Sequence, residues 1–310
     1  MRRLPAVPGP GVARRVVSFL VGRDGVAGPL EGRGVRLGLT AGVGADVERW
    51  RAGSVGQGAC PRQPRPPFAV RRAPPGPVTY LQFHLAFTVP PLVALAFLQT
   101  RTREPWRPLG LLVLAAVVYT TPWDNYVVAR GVWTYPPDAV LATLGYVPVE
   151  EYAFFVIQTL IAGFWTRWLQ ARWPVRTQPA SGLGVRATMA SVYAALAVVG
   201  GVLVVRGGHG LYLGLIMAWA FPVLAGMGWL GGHLIWARRR LVAWAVVPVT
   251  LYLWVADRIA IGLGIWDITD ATRTGWELLG LPVEEALFFL VTTLLVAQGL
   301  VMLERVRRDG

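Results

Sequence analysis

From Val78 onward the sequence settles seven times into a nearly uncharged apolar run. Each run is about 20 residues long, the length that a bilayer's hydrocarbon core requires. The predicted spans are 78–98, 108–128, 149–168, 187–205, 211–230, 241–262 and 283–303. In hydrocarbon each span must satisfy its own backbone N–H and C=O groups, so each is predicted to be a helix. Composition points the same way: 54% hydrophobic and 15% charged residues, with a mean hydropathy of +0.48, are unlike a soluble domain of this length. The chain reads as an all-α integral membrane protein with seven transmembrane helices.

The net charge of +13 invites a nucleic-acid partner, but its distribution argues against one. Thirteen of the 30 basic residues lie in residues 1–77, against the four acids Asp24, Glu31, Asp46 and Glu48. That segment is rich in Arg, Pro and Gly, offers no apolar run for a signal sequence, and is predicted to be a disordered extension. Beyond it 17 basic residues face 13 acids, so no nucleic-acid partner is expected. Every basic residue is Arg, and the absence of Lys excludes a retinal Schiff base. The single cysteine, Cys60, excludes an intrachain disulfide and a cysteine-built metal site. Loop charge sets the orientation. Thirteen arginines, from Arg101 to Arg308, fall on one side, and only Arg130, Arg206, Arg258 and Arg273 on the other, which predicts a cytoplasmic C-terminus. Arg62, Arg65, Arg71 and Arg72 oppose this with smaller weight.

An internal repeat organises the helices. DNYVVARGVW runs from Asp124 to Trp133 and DRIAIGLGIW from Asp257 to Trp266. PVEEYAFF at 148–155 and PVEEALFF at 282–289 follow, at an offset of 133 to 134 residues. The first three helices (78–170) therefore match the last three (209–310), and the region 171–208 carries a linker helix. One intervening helix makes the two units parallel rather than inverted. Both glutamate pairs then lie at one membrane face, opposite the cytoplasm, together with Asp124 and Asp257.

Pro followed by acids is ordinary grammar for a helix start, and Glu in a first turn suits the helix dipole. Two copies, each tied to an upstream Asp, point to more than a cap. Four residues after Glu150, Glu151, Glu284 and Glu285 come Phe154, Phe155, Phe288 and Phe289, on the same helical faces. Gln158, Thr159, Thr292 and Thr293 follow deeper in. Carboxyl groups crowded beside hydrocarbon cannot all ionise, so one that keeps its proton is available as a general acid. An aromatic wall beside it suits protonation of an alkene, because π-faces shield the resulting carbocation. Trp133 and Trp266 occupy equivalent positions on this side, though an interfacial aromatic belt also accounts for many tryptophans. No DDxxD motif for magnesium diphosphate is present, and the GPGVAR string near Gly9 lacks the third glycine of a dinucleotide site. His84, His209 and His233 are scattered. His84 is read as a packed histidine before a ligand to a carboxyl or a substrate.

These residues, with WDNY, GVW, GIW and the opening VTYLQFHLAFTVPP, make residues 78–310 similar to the integral-membrane lycopene cyclases. In those proteins two short subunits or one fused chain carry a duplicated domain, which in fungi is fused to phytoene synthase. The resemblance implies an isomerase that closes the ends of lycopene or a related carotenoid into β-ionone rings without net redox change. It also implies no flavin, no metal, a bilayer environment and contact with other carotenoid-pathway enzymes. On this reading Glu150 or Glu151, with Glu284 or Glu285, supplies acid and base. Asp124 and Asp257 set their protonation, while Phe154, Phe155, Phe288, Phe289, Trp133 and Trp266 shield the cation. Relatives begin near Val78, so residues 1–77 are expected to reflect a start placed too far upstream. Two rivals remain at this point. One is a proton-coupled transporter of the SWEET type, which shares the three-plus-one-plus-three plan. The other is a carotenoid-binding protein without catalysis.

Overall fold

The computed structural model describes residues 78–99, 106–173 and 182–308. The extension 1–77 and its expected disorder lie outside these residues. Among the described residues seven helices run for 20 residues or more: α1 Tyr80–Gln99, α2 Arg107–Ala129, α3 Val149–Arg172, α4 Leu183–Arg206, α5 Leu211–Ala237, α6 Arg239–Gly262 and α7 Val283–Arg308. All except α3 are long and apolar enough to cross a membrane, which makes this a multi-pass membrane protein. Gln158, Thr159, Thr166 and Arg167 lower the hydropathy of α3, yet all four are buried. A helix surrounded by other helices can carry polar groups that a lipid-facing one cannot.

Two local features depart from the expected spans. Helix α1 opens on a capping box between Thr79 and Gln82, then passes through a π-helical turn at His84–Thr88. Pro90, just beyond, cannot donate a backbone hydrogen bond, and wider turns of this kind accommodate such an interruption. Helix α5 continues past 230 through Gly231, Gly232 and His233 to Ala237. Small residues on both helices let α4 and α5 come close: a Cβ on Gly232 of α5 would lie 3.1 Å from Arg186 Cα, and one on Gly200 of α4 only 2.6 Å from Ala218 N. Close approach through small residues is the usual means by which helices adhere in lipid.

Helices α3 and α7 form the middle of the bundle. The first packs on α1, α2, α6 and α7, and the second on α3, α5 and α6. Helix α4 packs chiefly on α5 and is otherwise exposed, as a helix facing lipid should be. Between α2 and α3, and again between α6 and α7, the chain makes a short strand and then a tight hairpin. The strands β1 Trp133–Thr134 and β4 Asp267–Ile268 pair antiparallel with each other, Thr134 opposite Asp267. The hairpins are β2 Thr143–Leu144 with β3 Val147–Pro148, and β5 Glu277–Leu278 with β6 Leu281–Pro282. Gly145 and Gly280 adopt φ near 70° and 77° at the turns, where a side chain would be strained. Each hairpin delivers the chain directly into the first turn of α3 or α7, and so fixes where the glutamates begin.

Candidate active site

All six predicted acids are buried: Asp124, Glu150, Glu151, Asp257, Glu284 and Glu285 are each 5% exposed or less. The two glutamates of each pair do different things. Glu150 Oε1 accepts the backbone N–H of Leu141 at 2.7 Å, and Glu284 Oε1 accepts that of Thr274 at 2.6 Å. These bonds tie the loop before each hairpin to the helix start that follows it. Glu151 and Glu285 turn inward instead. Tyr80, at the head of α1, donates to Glu151 Oε2 at 2.5 Å, and Tyr212, at the head of α5, donates to Glu285 Oε1 at 2.5 Å.

Glu151 and Glu285 line one cavity with Asp257, Tyr80, Tyr135, Trp133, Trp266, Phe154, Phe288 and Phe289. Its volume is about 20 Å³, room for one water molecule. The structure thus gathers an acid from each motif copy, both repeat tryptophans and three of the four phenylalanines. The fourth, Phe155, lines a larger apolar groove instead. That groove has a volume of about 700 Å³ and runs among α2, α3, α5 and α7, with Trp123, Gln158, Thr159, Trp219 and Thr292 in its wall. Phe288 lines both spaces, stacked on Trp123 at 5.9 Å and edge-on to Trp133 at 6.0 Å. Gln158 and Thr292, which correspond in the repeat, hydrogen-bond to each other at 2.5 Å.

The two aspartates differ. Asp257 Oδ1 accepts the indole N–H of Trp266 at 3.1 Å, whereas both carboxyl oxygens of Asp124 are buried without a hydrogen-bond partner. No ion pair to any of the six acids is found among the described residues. The ion pairs found near this face join Arg273 to Asp270 and Glu277 at the surface. His84 is packed, as expected: it lies against Tyr80 at 4.6 Å, and its ring nitrogens meet Thr88 Oγ1 and the backbone carbonyl of Glu150, each at 3.0 Å.

Three hydroxyls that bond the inward glutamates escaped the sequence reading. Tyr80 and Tyr212 are separated by 132 residues, and carrying the repeat offset back to the first helix would have found them. Tyr135 donates to Glu151 Oε2 at 3.2 Å and has no counterpart, because Ile268 stands at the equivalent place. Burial, and next the nearby Glu151, push the Tyr135 hydroxyl well above its ordinary pKa, so it stays protonated and donates.

Fold and site together describe a multi-pass helical membrane protein with an interior cluster of carboxyls, tyrosines and tryptophans. No protein-family model matches the chain, and no solved structure does. Curated relatives do. A lycopene beta-cyclase of Halobacterium salinarum is 40% identical over 228 residues, covering 72% of this chain and 95% of the relative. Bifunctional lycopene cyclase/phytoene synthases of Podospora anserina and Gibberella fujikuroi are 34% and 36% identical, covering 73% and 72% of this chain and 40% and 39% of their own lengths. The chain belongs to the lycopene cyclase family.

Proposed function

We propose that this protein is a lycopene β-cyclase of carotenoid biosynthesis, an isomerase that closes the acyclic ends of lycopene into β-ionone rings. The observation that carries the reading is one aromatic cavity holding a glutamate from each PVEE copy, beside an apolar groove. A proton delivered to carbon 2 of the terminal 1,2 double bond leaves a tertiary cation at carbon 1. The 5,6 double bond then supplies the electron pair for the carbon 1 to carbon 6 bond, which moves the cation to carbon 5. Loss of the proton on carbon 6 restores the 5,6 double bond and completes the ring. Glu151 and Glu285 are the acid and base. The faces of Trp133, Trp266, Phe154, Phe288 and Phe289 are suited to shield the cation. The groove is suited to hold the polyene, since its walls are almost wholly apolar. In this reading Glu150 and Glu284 hold loops, and Asp124 and Asp257 act on the protons of their neighbours.

The same reading takes all seven helices as transmembrane. It divides them into two parallel units, residues 78–170 and 209–310, joined by the region 171–208 that contains α4. It places the C-terminus in the cytoplasm and the carboxyl cluster toward the opposite face. The test is expression in cells that accumulate lycopene, followed by pigment analysis of the intact chain and of a Glu151→Gln, Glu285→Gln double variant. Conversion by the first and none by the second is expected; unchanged lycopene with the intact, inserted chain would refute the reading.

A further inference from the structure

The two halves of the site repeat each other in outline but not in their hydrogen bonds. Glu151 Oε2 accepts two hydroxyls, from Tyr80 on α1 and from Tyr135 after β1. Glu285 accepts one tyrosine hydroxyl, from Tyr212 on α5, and the buried indole N–H of Trp133 stands beside it outside hydrogen-bond geometry. The aspartates reverse the imbalance: Asp257, beside Glu285, has the indole donor of Trp266, and Asp124, beside Glu151, has none. Around Glu151 stand Tyr80, Tyr135, Asp124, Glu150, Glu285 and Asp257; around Glu285 stand Tyr212, Trp133, Tyr135, Asp257, Glu284 and Glu151, with Asp257 acting more on Glu285 than on Glu151 and Tyr135 more on Glu151 than on Glu285.

Donors to a carboxylate oxygen favour the anion, and an anionic neighbour favours the protonated form. Glu151, with two hydroxyl donors and a partnerless aspartate beside it, is built to hold negative charge. Glu285, with one hydroxyl donor and a donor-stabilised Asp257 beside it, is built to hold a proton. We propose, on the basis of the cyclisation described above, that Glu285 donates the proton that starts the reaction and Glu151 removes the one that ends it. Tyr135 is the positioning residue that sets them apart.

In the first step Glu285 O–H breaks, and the 1,2 π pair forms the new bond from carbon 2 to hydrogen. In the last step Glu151 takes the proton from carbon 6, and the released pair becomes the 5,6 double bond. Glu285 is then the anion and Glu151 the acid. The shared cavity, large enough for one water molecule, gives the proton a route back from Glu151 to Glu285. Atoms and electrons balance over the cycle, and nothing is consumed.

The products distinguish the two roles. Removing the acid stops the reaction before any ring exists. Removing the base leaves a ring cation at carbon 5 that must lose a different proton, from carbon 4 or from the methyl on carbon 5. In lycopene-accumulating cells Glu285→Gln is expected to leave lycopene unreacted, more than 100-fold below the intact chain. Glu151→Gln is expected to convert it slowly to rings with a 4,5 or exocyclic double bond. β-Rings alone from Glu151→Gln, aberrant rings from Glu285→Gln, or unreacted lycopene from both at matched membrane insertion would each overturn the assignment. Failure of the intact chain to cyclise would instead sink the reaction beneath it.

A gentler variant keeps the fold and tests Tyr135 directly. With purified protein in lipid nanodiscs, Tyr135→Phe is expected to move the acid limb of the pH–rate profile upward by about one unit, as the loss of one hydrogen bond to a charged group implies. The alkaline limb stays in place. A profile that coincides with that of the intact protein would overturn the role of Tyr135.

Discussion

Adjacent glutamates in one helical turn point about 100° apart, and here that angle separates two kinds of work. Glu150 and Glu284 accept loop N–H groups, and in that role a glutamine carbonyl serves as well. Glu150→Gln and Glu284→Gln are therefore expected to retain lycopene conversion within about threefold. Glu150→Ala, which leaves the Leu141 N–H without its acceptor, is expected to destabilise the protein by about 1–3 kcal/mol. Thermal unfolding in detergent, alongside pigment analysis, checks both; a Gln variant as inactive as Glu151→Gln would contradict the division. The spacing that set Glu151 with Phe155 did not show that Phe154 lines the cavity and Phe155 the groove, but the doubled PVEE was plain in the sequence. Which glutamate faces inward was not, because the deciding hydroxyls of Tyr80 and Tyr212 arrive from 71 and 73 residues away.

At the scale of elements, run length alone located the helices, since hydrocarbon leaves an apolar stretch little else to become. The π turn in α1 and the continuation of α5 to Ala237 were not legible in run length: the span 78–98 passes through Pro90 without marking a wider turn, and the apolar run that ended at 230 gave no sign that the helix goes on through Gly231 and Gly232. The α4–α5 contact rests on such small residues. Gly200→Val puts side-chain atoms where the backbone of Ala218 lies, and overpacking of this kind costs about 1–3 kcal/mol. The unfolding temperature should fall accordingly. Conversion per folded molecule should stay unchanged, because α4 contributes no residue to the carboxyl cavity. Loss of activity without loss of stability would show that α4 does more than join the two sets of helices.

At the scale of the whole molecule, the offset of 133 to 134 residues pairs the motifs of the two sequence copies. It could not show that the pairing is unequal, because Tyr135 and Ile268 differ in what they donate rather than in where they stand. The proposed orientation is checked with reporters fused after Gly310: a fluorescent protein should glow there and alkaline phosphatase should be inactive, and the reverse pattern would put the carboxyl face in the cytoplasm. On the proposed reading, the cavity shared by the two inward glutamates has a consequence in time. Lycopene is a long, stiff molecule with two identical ends, and only one of them can reach Glu151 and Glu285 at once. A doubly ringed product must come from two separate visits, with the molecule turning end for end in the bilayer between them. Under limiting enzyme the one-ringed compound should therefore accumulate first, and a pulse of unlabelled lycopene should divert it from its second closure. A two-ringed product that forms without a free one-ringed stage would require a second working site.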